Sequence, residues 1–165
     1  DLNRAVGDLL DVLRHLIGEN IQIIWNACPD VCTVLIDPGQ IDQCITNLMV
    51  NARDAIKENG SITISLHQSV SPDAARLLNL EVPANYVVLQ VEDNGCGMDE
   101  ATMSRIFEPF FTTKFGQGGS GLGLSITYNI ITNVLGGSIN ASSTPGLGTR
   151  FEIRFPLVAP GDMVN

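Results

Sequence analysis

An α+β fold, a two-layer α/β sandwich whose mixed, mostly antiparallel sheet is covered on one face by helices, is what this sequence predicts. Two observations carry the expectation. Stretches with helical apolar spacing and stretches with strand alternation are interleaved, but not in strict strand–helix–strand order. The C-terminal part closes in two alternating stretches on either side of Pro145-Gly146, a hairpin signal. With 165 residues, 44% apolar and 16% charged, the chain has length for one domain with a proper core and is too apolar to be disordered.

The elements follow in order. Leu2, Val6, Leu9, Leu13 and Leu16 fall at helical spacing and Gly18 stops the run, predicting a helix over 2–17. Residues 21–25 and 33–36 read as short strands around a Pro29-Asp30 turn. Asp37-Pro38-Gly39-Gln40 is a helix start, with Asp as cap, Pro at the first position and Gln three residues after the cap. The helix it opens puts Ile41, Cys44, Ile45, Leu48, Ala52, Ala55 and Ile56 on one face and stops near Asn59-Gly60. Residues 61–67 and 86–92 alternate as strands, and the stretch between, with Pro72 and Pro83, reads as a loop holding one short helix. Residues 99–106 predict a short helix. A glycine-rich loop over 116–123 runs into a helix reaching about Leu135, closed by Gly136-Gly137. Strands over 138–142 and 149–155 finish the chain.

The net charge of −9 argues against a nucleic-acid partner, which normally meets a basic face. A polyanionic ligand would have to be held locally, by backbone N–H groups, a metal ion and a few basic side chains. No apolar run is long enough to span a bilayer. Cys28, Cys32, Cys44 and Cys96 lack paired zinc-ligand spacing and read as reduced structural thiols, which points to the cytoplasm.

Three glycine-bearing segments stand out: Asp93-Asn94-Gly95-Cys96-Gly97, Gly118-Gly119-Ser120-Gly121-Leu122-Gly123-Leu124 and Gly146-Leu147-Gly148-Thr149. The first ends a strand with a carboxylate and two residues free to take positive φ. The second opens a helix, where free N–H groups favour phosphate, yet it matches neither the P-loop nor the dinucleotide fingerprint. On the helix from Pro38, Gln43, Asn47, Asn51 and Asp54 fall along one line. That line is either a solvated face or a row of oxygen ligands facing a cavity; an Asn carbonyl suits magnesium already held by phosphates.

Taken together, Asn47-Leu-x-x-Asn51-Ala, Asp93-x-Gly95-x-Gly97, Phe107-Glu-Pro-Phe-Phe-Thr-Thr-Lys114, Gly119-x-Gly121-Leu-Gly123-Leu and Gly148-Thr149-x-Phe151 resemble the ordered boxes of histidine-kinase ATP-binding domains. Those domains share a superfamily with gyrase, the Hsp90 chaperones and the mismatch-repair ATPases, and the likeness covers about residues 35–156. It implies a Bergerat-type ATP-binding fold and a set of roles. Asp93 would bond the adenine amino group, with Gly95 and Gly97 letting the chain pass the base. Asn51 would coordinate Mg2+, and Asn47 would lie beside the phosphates. Lys114 would reach the terminal phosphate, and together with Asn47 it forms the catalytic pair. Gly119, Ser120, Gly121, Leu122 and Gly123 would hold phosphates, and Thr149 would sit near the adenine. Phe107 and Phe110 would anchor a lid over about 111–120. In the gyrase and chaperone branch a water-activating glutamate stands where this chain has Asn47; an amide cannot be a general base near neutral pH, which favours kinase over ATPase.

The sequence departs from the family where many kinases carry a basic residue three positions after the magnesium asparagine. Here that position is Asp54, with Arg53 before it. His15 and His67 lack the acidic neighbour and downstream proline of the phosphoacceptor segment. The resemblance therefore implies a protein-histidine kinase whose substrate histidine lies upstream, on a dimerisation domain of the same protein, in a homodimeric parent. A response regulator receiver domain would be the onward partner, and membrane attachment of the parent is left open. The expected layout is a linker helix over 1–20, the catalytic domain over 21–158 and a tail over 159–165. An ATPase module of the same superfamily and a degenerate nucleotide-binding scaffold are the alternatives.

Overall fold

The computed structural model describes residues 1–29, 32–71, 84–111 and 123–157. Five strands form one sheet in the order β1-β2-β3-β5-β4. They are β1 (Ile21–Asn26), β2 (Gly60–Ser71), β3 (Ala84–Asp93), β4 (Ser138–Thr144) and β5 (Gly148–Pro156). β1 runs parallel to β2, and every other neighbouring pair is antiparallel. The helices are α1 (Leu2–Ile17), α2 (Pro38–Ala55), α3 (Glu100–Met103) and α4 (Gly123–Asn129), the last passing into a π-helical turn over Ile130–Val134.

Strand alternation decides the layering. Ile62, Ile64 and Leu66 on β2, Val87, Leu89 and Val91 on β3, and Phe151, Ile153 and Phe155 on β5 all point to one buried face. Thr63, His67, Glu92, Arg150 and Arg154 point the other way. α2 lays Ile41, Cys44, Ile45, Leu48, Met49 and Ala52 on the apolar face, held at its start by Asp37, whose Oδ1 accepts the Gly39 N–H at 2.9 Å. The α+β sandwich is therefore present, with its core between sheet and helices.

α1 is part of that core. Leu2, Val6, Leu10, Leu13 and Ile17 are all buried in the cluster that holds α2 and the sheet. The π turn has a local cause: Leu135 N–H reaches back five residues to the Ile130 carbonyl at 2.9 Å, which lets Ile130, Ile131 and Leu135 all be buried.

The strand expected over 33–36 does not form. Leu35 alone pairs, donating its N–H to the Leu157 carbonyl at 2.7 Å. The neighbouring backbone is claimed elsewhere: Cys32 O accepts the Leu2 N–H, and Cys28 exchanges two bonds with the Asn3 side chain. Val34 and Ile36 pack against the core, so the apolar alternation there serves packing rather than pairing. The helix expected over 99–106 is regular only over Glu100–Met103. The Pro72–Pro83 loop and the tail over 159–165 lie outside the described residues.

Candidate functional site

Asp93 closes β3 on the core-facing register, where the apolar layer ends, and it is 7% exposed. Its Oδ1 accepts the Gly95 N–H at 2.9 Å, and the Thr149 backbone donates to the same carboxylate. Burial holds the Asp93 carboxyl above the ordinary aspartate value; the two N–H bonds pull it back down, and Glu92 adds a smaller upward push. Thr149 is its partner across the β3–β5 ladder and is likewise buried.

A short network fixes Thr149. Ser143 Oγ donates to the Gly148 carbonyl at 2.9 Å and accepts the Met98 N–H at 2.7 Å. With its proton committed, Ser143 can only accept from Thr149 Oγ1, 2.8 Å away. The Thr149 hydroxyl thereby keeps acceptor capacity next to an acceptor carboxylate. Such a pair suits a ligand that donates, such as an exocyclic amino group.

The glycines of this corner are fixed by the protein's own close contacts. A Cβ on Gly95 would stand 2.6 Å from the Ala55 carbonyl oxygen, and one on Gly97, at φ 70°, would stand 2.1 Å from that of Thr144. The Cys96 N–H donates to the Ala55 carbonyl at 2.9 Å, so the loop is fastened to the C-terminal end of α2.

α2 carries the second half of the site. Asn47 Nδ2 donates to the Gly123 carbonyl at 3.3 Å and to Thr127 Oγ1 at 3.2 Å. Ala55, two turns further, meets the Asp93 loop. Asn51 stands between them and is half-buried, and its side chain has no hydrogen-bond partner among the described residues. One helix line thus runs from the first residue of α4 to the loop after Asp93. Arg53 turns elsewhere, to Asp54 Oδ1 at 3.2 Å and the Leu16 carbonyl at 3.3 Å.

Of the residues singled out in the sequence, Asp93, Gly95, Gly97 and Thr149 share one corner, Asn47 and Gly123 touch, and α2 links the two groups. Lys114, Gly119, Ser120, Gly121 and Leu122 lie outside the described residues. Phe107 is half-buried with its ring 5.1 Å from that of Tyr128; Phe110 is exposed, with a φ of 67°. Ser143 and Thr127 were not foreseen. Their only sequence signal is a hydroxyl at a core-facing position, two residues before Pro145 in one case and four after Gly123 in the other.

A hollow of about 230 Å3 is bordered by Asp93, Ser143, Gly148 and Thr149. A larger one of about 500 Å3, sharing Ser142, Ser143 and Thr144, opens between Met98, Met103 and Pro145, but neither Asp93 nor Thr149 borders it. The chemistry belongs with the smaller hollow. Among the described residues no cluster of three or more His, Cys, Asp or Glu side chains could hold a metal ion. Cys28, Cys32 and Cys44 are buried free thiols, that of Cys44 pushed up to about 12 by burial, and Cys96 is free and exposed.

Residues 36–159 match the model of the histidine kinase-, DNA gyrase B-, and HSP90-like ATPase family. The chain is 43% identical over 157 residues to the sensor kinase CckA of Brucella abortus, covering 94% of this chain and 16% of that protein. It superposes on the nucleotide-free catalytic domain of the histidine kinase ThkA with a TM-score of 0.75 and 28% identity, over 96% of this chain and 95% of that one. The likeness extends to ThkA in complex with the response regulator protein TrrA, at a TM-score of 0.73 and 27% identity, over 95% of this chain and 40% of that one.

Proposed function

Because the chain belongs to the histidine kinase-, DNA gyrase B- and HSP90-like ATPase family, and within it is a catalytic domain of the sensor-kinase type, we propose that it binds Mg-ATP for transfer of the γ-phosphoryl group to a histidine on a separate dimerisation domain. The observation that carries this reading is the line from Gly123 through Asn47 and Asn51 to the acceptor pair Asp93–Thr149. Asp93 and Thr149 accept from the adenine amino group. Gly95 and Gly97 shape the turn beside the base. Gly119, Ser120, Gly121, Leu122 and Gly123 hold the phosphates, and Lys114 meets the terminal one as a point charge.

The amide side chains fit a magnesium ion. The amide of Asn51, which has no hydrogen-bond partner among the described residues, supplies a neutral hard oxygen that suits a cation already held by phosphates. Mg2+, when bound, neutralises charge on the phosphates. The chain's own share is positioning and exclusion. Asn47 cannot take a proton from water near neutral pH, which favours transfer over hydrolysis.

The layout we propose has residues 1–20 leading from the dimerisation domain, the catalytic domain over 21–158 and a tail over 159–165. The parent is a homodimer whose phosphohistidine passes its phosphate to a response regulator receiver domain, a reading supported by the complex described for ThkA. No helix among the described residues is long and apolar enough to cross a membrane. The cytoplasmic location we propose rests instead on the reduced state read for the cysteines. The test is transfer of label from γ-labelled ATP to the separately prepared phosphoacceptor domain. Label should reach histidine, with little phosphate released by the chain alone. Steady phosphate release without transfer would reject the kinase reading.

A further inference from the structure

Thr127 sits in the second turn of α4 with no solvent exposure at all. Its Oγ1 lies 2.9 Å from the Gly123 carbonyl oxygen and 3.2 Å from Asn47 Nδ2. A carbonyl can only accept, so the hydroxyl proton goes to Gly123 and the oxygen lone pairs face Asn47. Two acceptors, the Gly123 carbonyl and the Thr127 oxygen, therefore meet the same end of the Asn47 amide, and that end must be the NH2 group. Turning the amide over would set its oxygen against both. The Asn47 carbonyl Oδ1 is left without a hydrogen-bond partner among the described residues.

We propose that Thr127 is a positioning residue that fixes the polarity of Asn47, so that Asn47 meets bound nucleotide through its carbonyl oxygen, as a ligand to the divalent cation or its water, and not as an N–H donor to phosphate. This deepens the Mg-ATP reading and rests on it. Thr127 touches neither nucleotide nor metal; it acts through Asn47. The same two bonds tie α2 to the first two turns of α4, so a merely structural role would weaken nucleotide binding with and without metal alike.

The experiment compares the wild-type chain with Thr127→Val, which keeps the shape and removes the hydroxyl, and with Thr127→Ser, which restores it. ATP affinity is measured with magnesium and with a chelator, and the Asn47 side-chain amide is followed by NMR without nucleotide. In Thr127→Val the gain in affinity from magnesium should shrink about three- to tenfold, the worth of one hydrogen bond. Metal-free affinity should stay within about twofold, since the lost bond belongs to the metal-linked contact. Thr127→Ser should return the gain. In the wild type the two Nδ2 protons should be inequivalent and protected from exchange, and the valine variant should lose that protection.

Equal loss with and without magnesium would make Thr127 structural and overturn the proposal, as would a serine variant that restores nothing. If valine does not fold, the wild-type spectrum still decides: an Asn47 amide exchanging as fast as an exposed asparagine rejects the proposal. A wild type that binds no ATP ends the nucleotide reading itself. One that binds, with its magnesium gain unchanged in Thr127→Val, ends only this inference.

Discussion

Asp93 does two opposed things as pH changes, and both follow from its burial. Its carboxyl sits above the ordinary value, so the folded chain holds that proton to higher pH than the unfolded chain does. Its contribution to stability is therefore fullest below the unfolded value of about 3.9 and is lost as pH rises through the higher folded value. On the proposed reading nucleotide binding runs the other way, because the adenine amino group would need the carboxylate. Affinity for ATP should fall as pH drops through the raised value, beginning at a higher pH than an ordinary aspartate would give. In Asp93→Asn the binding should be weak at every pH, and this pH dependence should vanish; titrations of fluorescent nucleotide on both chains from about pH 4, near the unfolded aspartate value, upward would show it. The nearby glycines separate strain from crowding. Gly146 has a φ of 82° with nothing within 4 Å of a Cβ, so Gly146→Ala should cost only about 1–2 kcal/mol for the backbone. Gly97→Ala adds the Thr144 carbonyl, and a total of about 2–5 kcal/mol is expected. Urea midpoints at constant slope measure both; equal costs would mean the hairpin does not press on Gly97. Asp93 and these glycines were legible because a carboxylate at a strand end and clustered glycines are rare letters with few uses. Ser143 was not, since it is one of several hydroxyls in its strand and bonds to Met98, 45 positions away.

At the scale of elements, α1 shows how far apolar spacing can be read. Its spacing foretells the helix and only part of the face. Leu2, Val6 and Leu13 are buried as expected, but Leu10 and Ile17 are buried where Leu9 and Leu16 were expected, and Leu16 is exposed. Moreover, a linker helix and a core helix carry the same kind of pattern. What distinguishes them is the partner surface, supplied by α2 and β1. Leu10, with 1% exposure, should therefore behave as a core residue: Leu10→Ala should cost about 2–5 kcal/mol, whereas Val12→Ala, on the same helix but 68% exposed, should cost less than about 0.5 kcal/mol. Chemical denaturation of the two variants decides this, and similar small losses would make α1 an appendage. Residues 33–36 failed for a related reason: alternation reports which side chains are buried and is silent about which backbone groups are already taken. In the terminal hairpin, Ile139, Phe151, Ile153 and Phe155 fix the register, the apolar pattern and the turn agree, and the strands formed where expected with slightly longer ends.

For the whole molecule the controlling quantity is charge. The chain carries −9, and the ligand proposed for it is a polyanion, so attraction at long range is absent and the site must rely on contacts made only at short range. Within about 10 Å, the screening length near 0.1 M salt, the contacts proposed for it, from backbone N–H groups, the amide oxygens of Asn47 and Asn51 and the cation, would take over. Approach and capture should then respond differently to ionic strength. Salt screens the repulsion between chain and ATP, so the association rate should rise between about 0.01 and 0.15 M salt, the opposite of a basic nucleotide-binding surface. Dissociation would depend on the proposed, partly buried contacts at Asp93 and along α2, which salt reaches less, and should change little over that range. Stopped-flow binding of a fluorescent ATP analogue with saturating magnesium resolves the two rates. An association rate that falls with salt would mean that a local positive field, not the overall charge, governs the approach, and would shift the weight of recognition onto Lys114 and the few other basic side chains.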